Sequence, residues 1–282
     1  MGFSLGGAAR LLRGSPQHPV GADGRMALSD HLRELRARLI RSVLFLLLAF
    51  FVALFFYDQL LHLVLGPYNH ARIALHQKTQ THAYVAGATG PLMLQLKLCG
   101  VAAIVVSSPY WLSQIWGFIV PGLHPHERTW SRVFVAIAGP LFFLGVATGY
   151  YVLPKGLEVL IGFTPAKLQN LVEFGEYFSF LTRMLLVFGI AFEIPLFVIM
   201  LNLAGVVSGQ QLARYRPWIV LGTFVFAAVA TPSTDPFSML MLALPMLALF
   251  VVAEVVARVI DRRRRHRPDS TEQWADDEAS TL

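Results

Sequence analysis

The stretch FSFLTRMLLVFGIAFEIPLFVIMLNL, Phe178 to Leu203, contains two charged side chains, Arg183 and Glu193, in twenty-six residues. It is too long for a strand and too evenly apolar for a soluble helix, which hides one face only. At about 1.5 Å per helical residue it crosses a hydrocarbon core of roughly 30 Å, so it reads as a membrane span. Five further apolar runs repeat the pattern: about Leu39 to Tyr57, Leu98 to Val120, Val133 to Leu153, Trp218 to Thr231 and Ser238 to Ala257. The whole chain agrees, its 282 residues being 55% apolar and 14% charged with a mean hydropathy of +0.57. Soluble domains carry about 25% charged residues, so an ordinary cytosolic enzyme is excluded. The expectation is an all-α integral membrane protein with six transmembrane helices.

Seventeen of the 23 Lys and Arg fall in the N-terminal part up to Arg41, in segments 121–132 and 205–217, and from Arg258 onward, all on one side of a six-span chain. The other side has four, Arg72, Lys78, Lys155 and Lys167. Cations are retained on the cytoplasmic side, so both termini are expected there. The net charge of +6 flanks apolar runs, which points to anionic lipid headgroups as counter-charge and to no nucleic acid. Cys99 is the single cysteine, which leaves no internal disulfide and no cysteine-based zinc cage. The fourteen residues from Trp218 reach about 21 Å, so the last two spans are expected to be short and the bilayer locally thinned. Residues 1–25 read as a disordered extension, 26–258 as the membrane domain, and 259–282 as a basic then acidic tail, from Arg262 through Arg265 to Asp276, Asp277 and Glu278.

Isolated polar residues carry what function the sequence shows. Ahead of the first span, Leu28, Leu32, Leu35 and Leu39 share one helical stripe while His31, Glu34, Arg38 and Arg41 gather on the other, an amphipathic helix at the interface. Glu34 either pairs with Arg38 one turn on or accepts a visiting guanidinium, whose planar fork carboxylates grip in bidentate fashion. Glu127, after the stiff Pro121 to Pro125 turn, is a second lone carboxylate among cations, read equally as an acceptor or as a helix N-terminal acid. Glu193 sits deep in the fourth span beside Pro195, a functional candidate by position, or a structural hydrogen-bonding group. Asp235 is placed to cap the last helix. No nucleophile and base, metal-ligand spacing or nucleotide-binding glycine pattern occurs, so neither catalysis nor a cofactor is expected.

Several separated motifs, in order, resemble the TatC family of twin-arginine protein translocase subunits. Ser29 to Leu39 is similar to its His-Leu-x-Glu-Leu-Arg-x-Arg-Leu signature, Gly66-Pro67 to a proline in its first outer loop, and Pro109 to Arg128 to its second span with the Phe-x-x-Pro-Gly-Leu-x-x-x-Glu-Arg ending. Phe192 to Pro195 and Thr231 to Pro245 resemble its fourth span and last hairpin. The resemblance implies a concave, glove-like receptor in the bacterial cytoplasmic membrane. Glu34 and Glu127 would bind the paired arginines of cargo signal peptides, shaped by Arg36, Arg38, Phe118 and Pro121. Pro67, Glu193, Asp235 and Met239 would be intramembrane or partner-contact positions for TatB-like and TatA-like single-span subunits, and the proton-motive force would drive export of folded proteins. This chain departs from the pattern at Val251, where the family's acid appears three residues later as Glu254, and at Met239, where a glutamine is common. The alternative from a lone intramembrane acid is a proton-coupled secondary transporter working through Glu193.

Overall fold

The computed structural model describes residues 28–75, 81–119, 128–165, 168, 170–230 and 236–265. In chain order these form helices α1 (Leu28–Phe55) and α2 (Tyr57–Ala74), strand β1 (Thr81–Tyr84), helices α3 (Gly90–Val106), α4 (Ser108–Ile119) and α5 (Arg128–Gly162), and strand β2 (Asn170–Glu173). Helices α6 (Phe174–Leu203), α7 (Gly209–Arg214), α8 (Arg216–Ala230) and α9 (Pro236–Arg265) follow. Four helices are long and apolar enough to cross a membrane: α1, α5, α6 and α9. The α3–α4 pair makes a fifth when taken as one broken span, and α8 is a shorter apolar helix.

Helix α6 is the centre of the bundle, flanked by α5 and α9, and it contributes Tyr177, Leu181, Met184, Phe188 and Phe192 to the main core. It lies against α5 at small residues, as membrane helices do when no hydrophobic force separates protein from lipid. A Cβ added to Gly145 would stand 2.5 Å from the Phe188 carbonyl oxygen, so the two backbones touch because position 145 has no side chain. Gly145→Ala is therefore expected to cost about 1–3 kcal/mol, read as a lower thermal midpoint in detergent, because backbone cannot swing aside as a side-chain tip can. An unchanged midpoint would show that α5 and α6 do not meet there. Conversely α1 turns Leu44, Leu47, Leu48, Phe51 and Val52 outward, all of them exposed, as a lipid-facing surface would be.

Four expectations change. The amphipathic segment is not separate from the first span: Leu28–Phe55 is one helix, with its polar stripe turned toward the protein and Leu32, Leu35 and Leu39 outward. A lipid-facing apolar side and a polar side packed on protein is the inverse of a soluble helix. The second span starts at Gly90, earlier than expected, and bends by 53° between α3 and α4. Pro109 has no N–H for the Val105 carbonyl, and the Trp111 indole donates to the Ile104 carbonyl at 3.0 Å in place of the broken ladder. Pro67 belongs to a helix, α2, and not to a loop. The Leu63 carbonyl that Pro67 leaves free accepts a hydrogen bond from Tyr150 Oη at 2.8 Å, while Tyr177 Oη donates to the Val64 carbonyl at 2.5 Å. Finally, the sixth span is not short, since α9 runs thirty residues through Arg265 and crosses the boundary drawn at 258. Arginine is a good helix former, so the basic run that was expected to belong to the tail prolongs the helix.

The connections before α3 and before α6 meet in a parallel two-stranded sheet, with Thr81 opposite Asn170 and Tyr84 opposite Glu173. These are the two connections that a six-span arrangement puts on one side.

Candidate functional site

Three rungs, seven residues apart on α1, fasten its polar stripe to α4. The His31 and Phe118 rings stack at 4.2 Å, the Arg38 guanidinium lies against Gly117, and Phe45 stacks on Tyr110 at 4.4 Å. Two helical turns separate successive rungs, so one face of α1 meets one face of α4. A Cβ at Gly117 would stand 2.6 Å from Arg38 Nη1, so the missing side chain there makes room for the guanidinium.

Glu34 and Arg38 form the one-turn pair, yet the pair leaves half of the carboxylate open. Arg38 Nε donates to Glu34 Oε1 at 2.9 Å and Nη2 to the same oxygen at 2.6 Å. Oε2 takes no bond from any described residue. The two side chains keep 21% and 19% of their surface, sheltered enough to hold one geometry and open enough to meet a ligand. Partly exposed i,i+4 pairs contribute only about 0.3–0.5 kcal/mol, so the arrangement orients Glu34 without locking it away. The structure thus brings Glu34, Arg38 and Phe118 together, and leaves Arg36 exposed to the side. Pro121, Glu127 and Asp235 lie outside the described residues.

Glu193 stands apart from this cluster but is reached by the same helix. Trp116 of α4 donates its indole N–H to Glu193 Oε2 at 3.2 Å, and Glu193 Oε1 is buried with no hydrogen-bond partner among the described residues. The carboxyl opens into a cavity of about 290 Å³ walled by Trp111, Trp116, Phe142, Ile190 and Phe197, in which it is the one titratable side chain among the described residues. A proton relay needs a chain of such groups. The bond to Trp116 was not expected, since the structural alternative for Glu193 was a bond to backbone loosened by Pro195. Pro67 is fully buried in α2, and Met239 packs on the edge of the main core, neither of them among the rungs of the α1–α4 seam.

A second polar cluster was not foreseen as a unit. Glu254 of α9 is 1% exposed and receives the Arg216 fork, Nε to Oε2 at 2.6 Å and Nη2 to Oε1 at 2.7 Å, with Arg258 Nη2 also 2.6 Å from Oε1. Two turns on, Asp261 accepts from Asn202 Nδ2 at 2.9 Å and from the Gly209 backbone N–H at 2.7 Å. The clamp ties the short α8, the turn at α7 and the end of α6 to α9. Glu254 stands one turn from Arg258, a spacing visible in the sequence, whereas the approach of Arg216 is purely tertiary.

The family described as Sec-independent protein translocase protein (TatC) matches residues 30–245. A Sec-independent protein translocase protein TatC of Frankia casuarinae is 42% identical over 269 residues, covering 92% of this chain and 74% of the relative. Its counterpart in Corynebacterium kroppenstedtii is 37% identical over 300 residues, covering 99% of this chain and 72% of the relative. A crystal structure of the twin-arginine translocase receptor TatC superposes with a TM-score of 0.69 at 30% identity, covering 82% of this chain and all of that one. Because the match runs through the polar stripe of α1, the α3–α4 bend and the central α6 alike, this multi-pass membrane protein belongs to the TatC family of Sec-independent protein translocases.

Proposed function

We propose that this chain is the receptor subunit of a twin-arginine translocase, capturing the paired arginines of signal peptides on the cytoplasmic face of the bacterial inner membrane. The supporting observation is the half-open carboxylate of Glu34: Arg38 holds one oxygen, and the other points to no described residue. One arginine of the visitor takes that free oxygen and the other takes Glu127. Glu127 directly precedes Arg128, the first residue of α5, whose Phe134 stacks on Trp116 of α4 at 6.2 Å. Arg36, Arg38, Phe118 and Pro121 shape the site around the two carboxylates. Charge-assisted bonds of this kind contribute roughly 1.5–3 kcal/mol each, and a lysine cannot make the bidentate fork.

In this reading six spans put both termini in the cytoplasm, with 1–25 and the residues past the end of α9 as tails. The apolar cavity around Glu193 then receives an apolar helix from a TatB-like or TatA-like single-span partner, and the assembled complex moves folded cargo with the proton-motive force. That Glu193 has no titratable neighbour in its cavity among the described residues favours a receptor over a proton-coupled transporter. The test is cross-linking from a probe at position 118 to an arginine-pair peptide and to its Lys-Lys variant. The arginine peptide is expected to label and the lysine peptide to fail; equal labelling defeats the assignment.

A further inference from the structure

We propose that the C-terminal end of α9 carries a binding site for an anionic phospholipid, its headgroup phosphate gripped by Arg258 and Arg263. A cavity of about 740 Å³ opens there between α9 and α7, at the end of the apolar span Met239–Arg263. Its size is that of a small-molecule site, roughly 300–1,000 Å³. Three guanidinium groups line it, Arg258, Arg262 and Arg263, against one acid, Asp261.

That acid is already engaged, since both of its oxygens accept bonds from Asn202 and Gly209. Arg258 makes its ion pair with Glu254 through Nη2, and Arg263 is exposed with no partner among the described residues. Below the cations the wall turns apolar: Val255 and Val259 line the cavity at 55% and 47% exposure, and Val251, a turn deeper, continues the same stripe at 52%. Cations at the interface above an exposed valine track match a phosphate joined to an acyl chain, which neither a soluble anion nor a peptide carboxylate supplies. Gln210 on the α7 side adds an amide able to donate to glycerol or phosphate oxygens. Only the choice of leaflet, the inner one, rests on the topology proposed above.

The experiment releases the full chain from nanodiscs of phosphatidylcholine, with or without phosphatidylglycerol, and counts retained lipids by native mass spectrometry. Phosphatidylglycerol retention above its share of the bilayer is expected. Arg263→Gln should weaken it about fivefold to tenfold, while Arg214→Gln, which removes an equal charge from nearby α7 outside the cavity, should change it less than twofold. Val255→Trp, which fills the track and keeps every charge, should weaken it as Arg263→Gln does. Equal losses for Arg263→Gln and Arg214→Gln would overturn the site in favour of a diffuse field. Displacement of the lipid by millimolar inorganic phosphate would overturn the acyl contribution. If the full chain retains none and a chain ending at Arg267 does, the occupant is the acidic run at Asp276 to Glu278, and the lipid assignment falls.

Discussion

The double variant Glu34→Ala, Glu127→Ala is expected to lose capture of an arginine-pair signal peptide by two to four orders of magnitude while keeping its helix content and thermal midpoint. Each carboxylate supplies a charge-assisted contact of about 1.5–3 kcal/mol to the visitor, and about 1.4 kcal/mol is a factor of ten. Within the fold the same Glu34 gives up far less. Its pair with Arg38 is partly exposed and one turn apart, a contribution of about 0.3–0.5 kcal/mol, and the α1–α4 seam keeps its His31–Phe118 and Phe45–Tyr110 stacks. Anisotropy of a labelled peptide against the protein in nanodiscs reads the binding, and circular dichroism reads the fold. A double variant that binds normally removes the receptor site; one that unfolds shows the acids to be structural.

The second large effect is an asymmetry at the α8–α9 clamp. Arg216→Gln with Arg258→Gln is expected to destabilise the protein more than Glu254→Gln does. Removing both cations strands a carboxylate that is 1% exposed, and an uncompensated buried charge costs about 3–5 kcal/mol. Removing the acid leaves two arginines that already keep 53% and 49% of their side-chain surface and that reach water or headgroups by extending. Thermal midpoints in one detergent compare the three proteins. Equal losses, or a larger loss for Glu254→Gln, would show that Glu254 is solvated in the folded protein and that the clamp does not hold α8. The clamp matters because α8, at fifteen residues, rises about 22 Å and has little surface of its own with which to stay in place.

Class and candidate residues were legible early because they depend on runs and spacings. Long apolar stretches declare spans without reference to anything else in the chain, since the bilayer sets their length. Glu34 and Glu193 stood out as lone acids, and the one-turn pairing of Glu34 with Arg38 follows from helical periodicity. Local order was harder where two tendencies compete. The proline at 67 suggested a loop, but Tyr150 satisfies the carbonyl that it frees, so the helix continues. Basic residues after the last apolar run suggested the start of a tail, yet helix propensity carried α9 to Arg265.

By itself the sequence determined that the chain is a bundle of membrane helices, that its acids are few, and which helical face each occupies. Which face turns inward was beyond it, because in a bilayer the usual equation of apolar with interior no longer holds. Only the tertiary structure decided that α1 packs by its polar stripe, that Trp116 reaches across seventy-seven positions to Glu193, and that Arg216 crosses thirty-eight to close on Glu254. Those contacts join residues that no period relates.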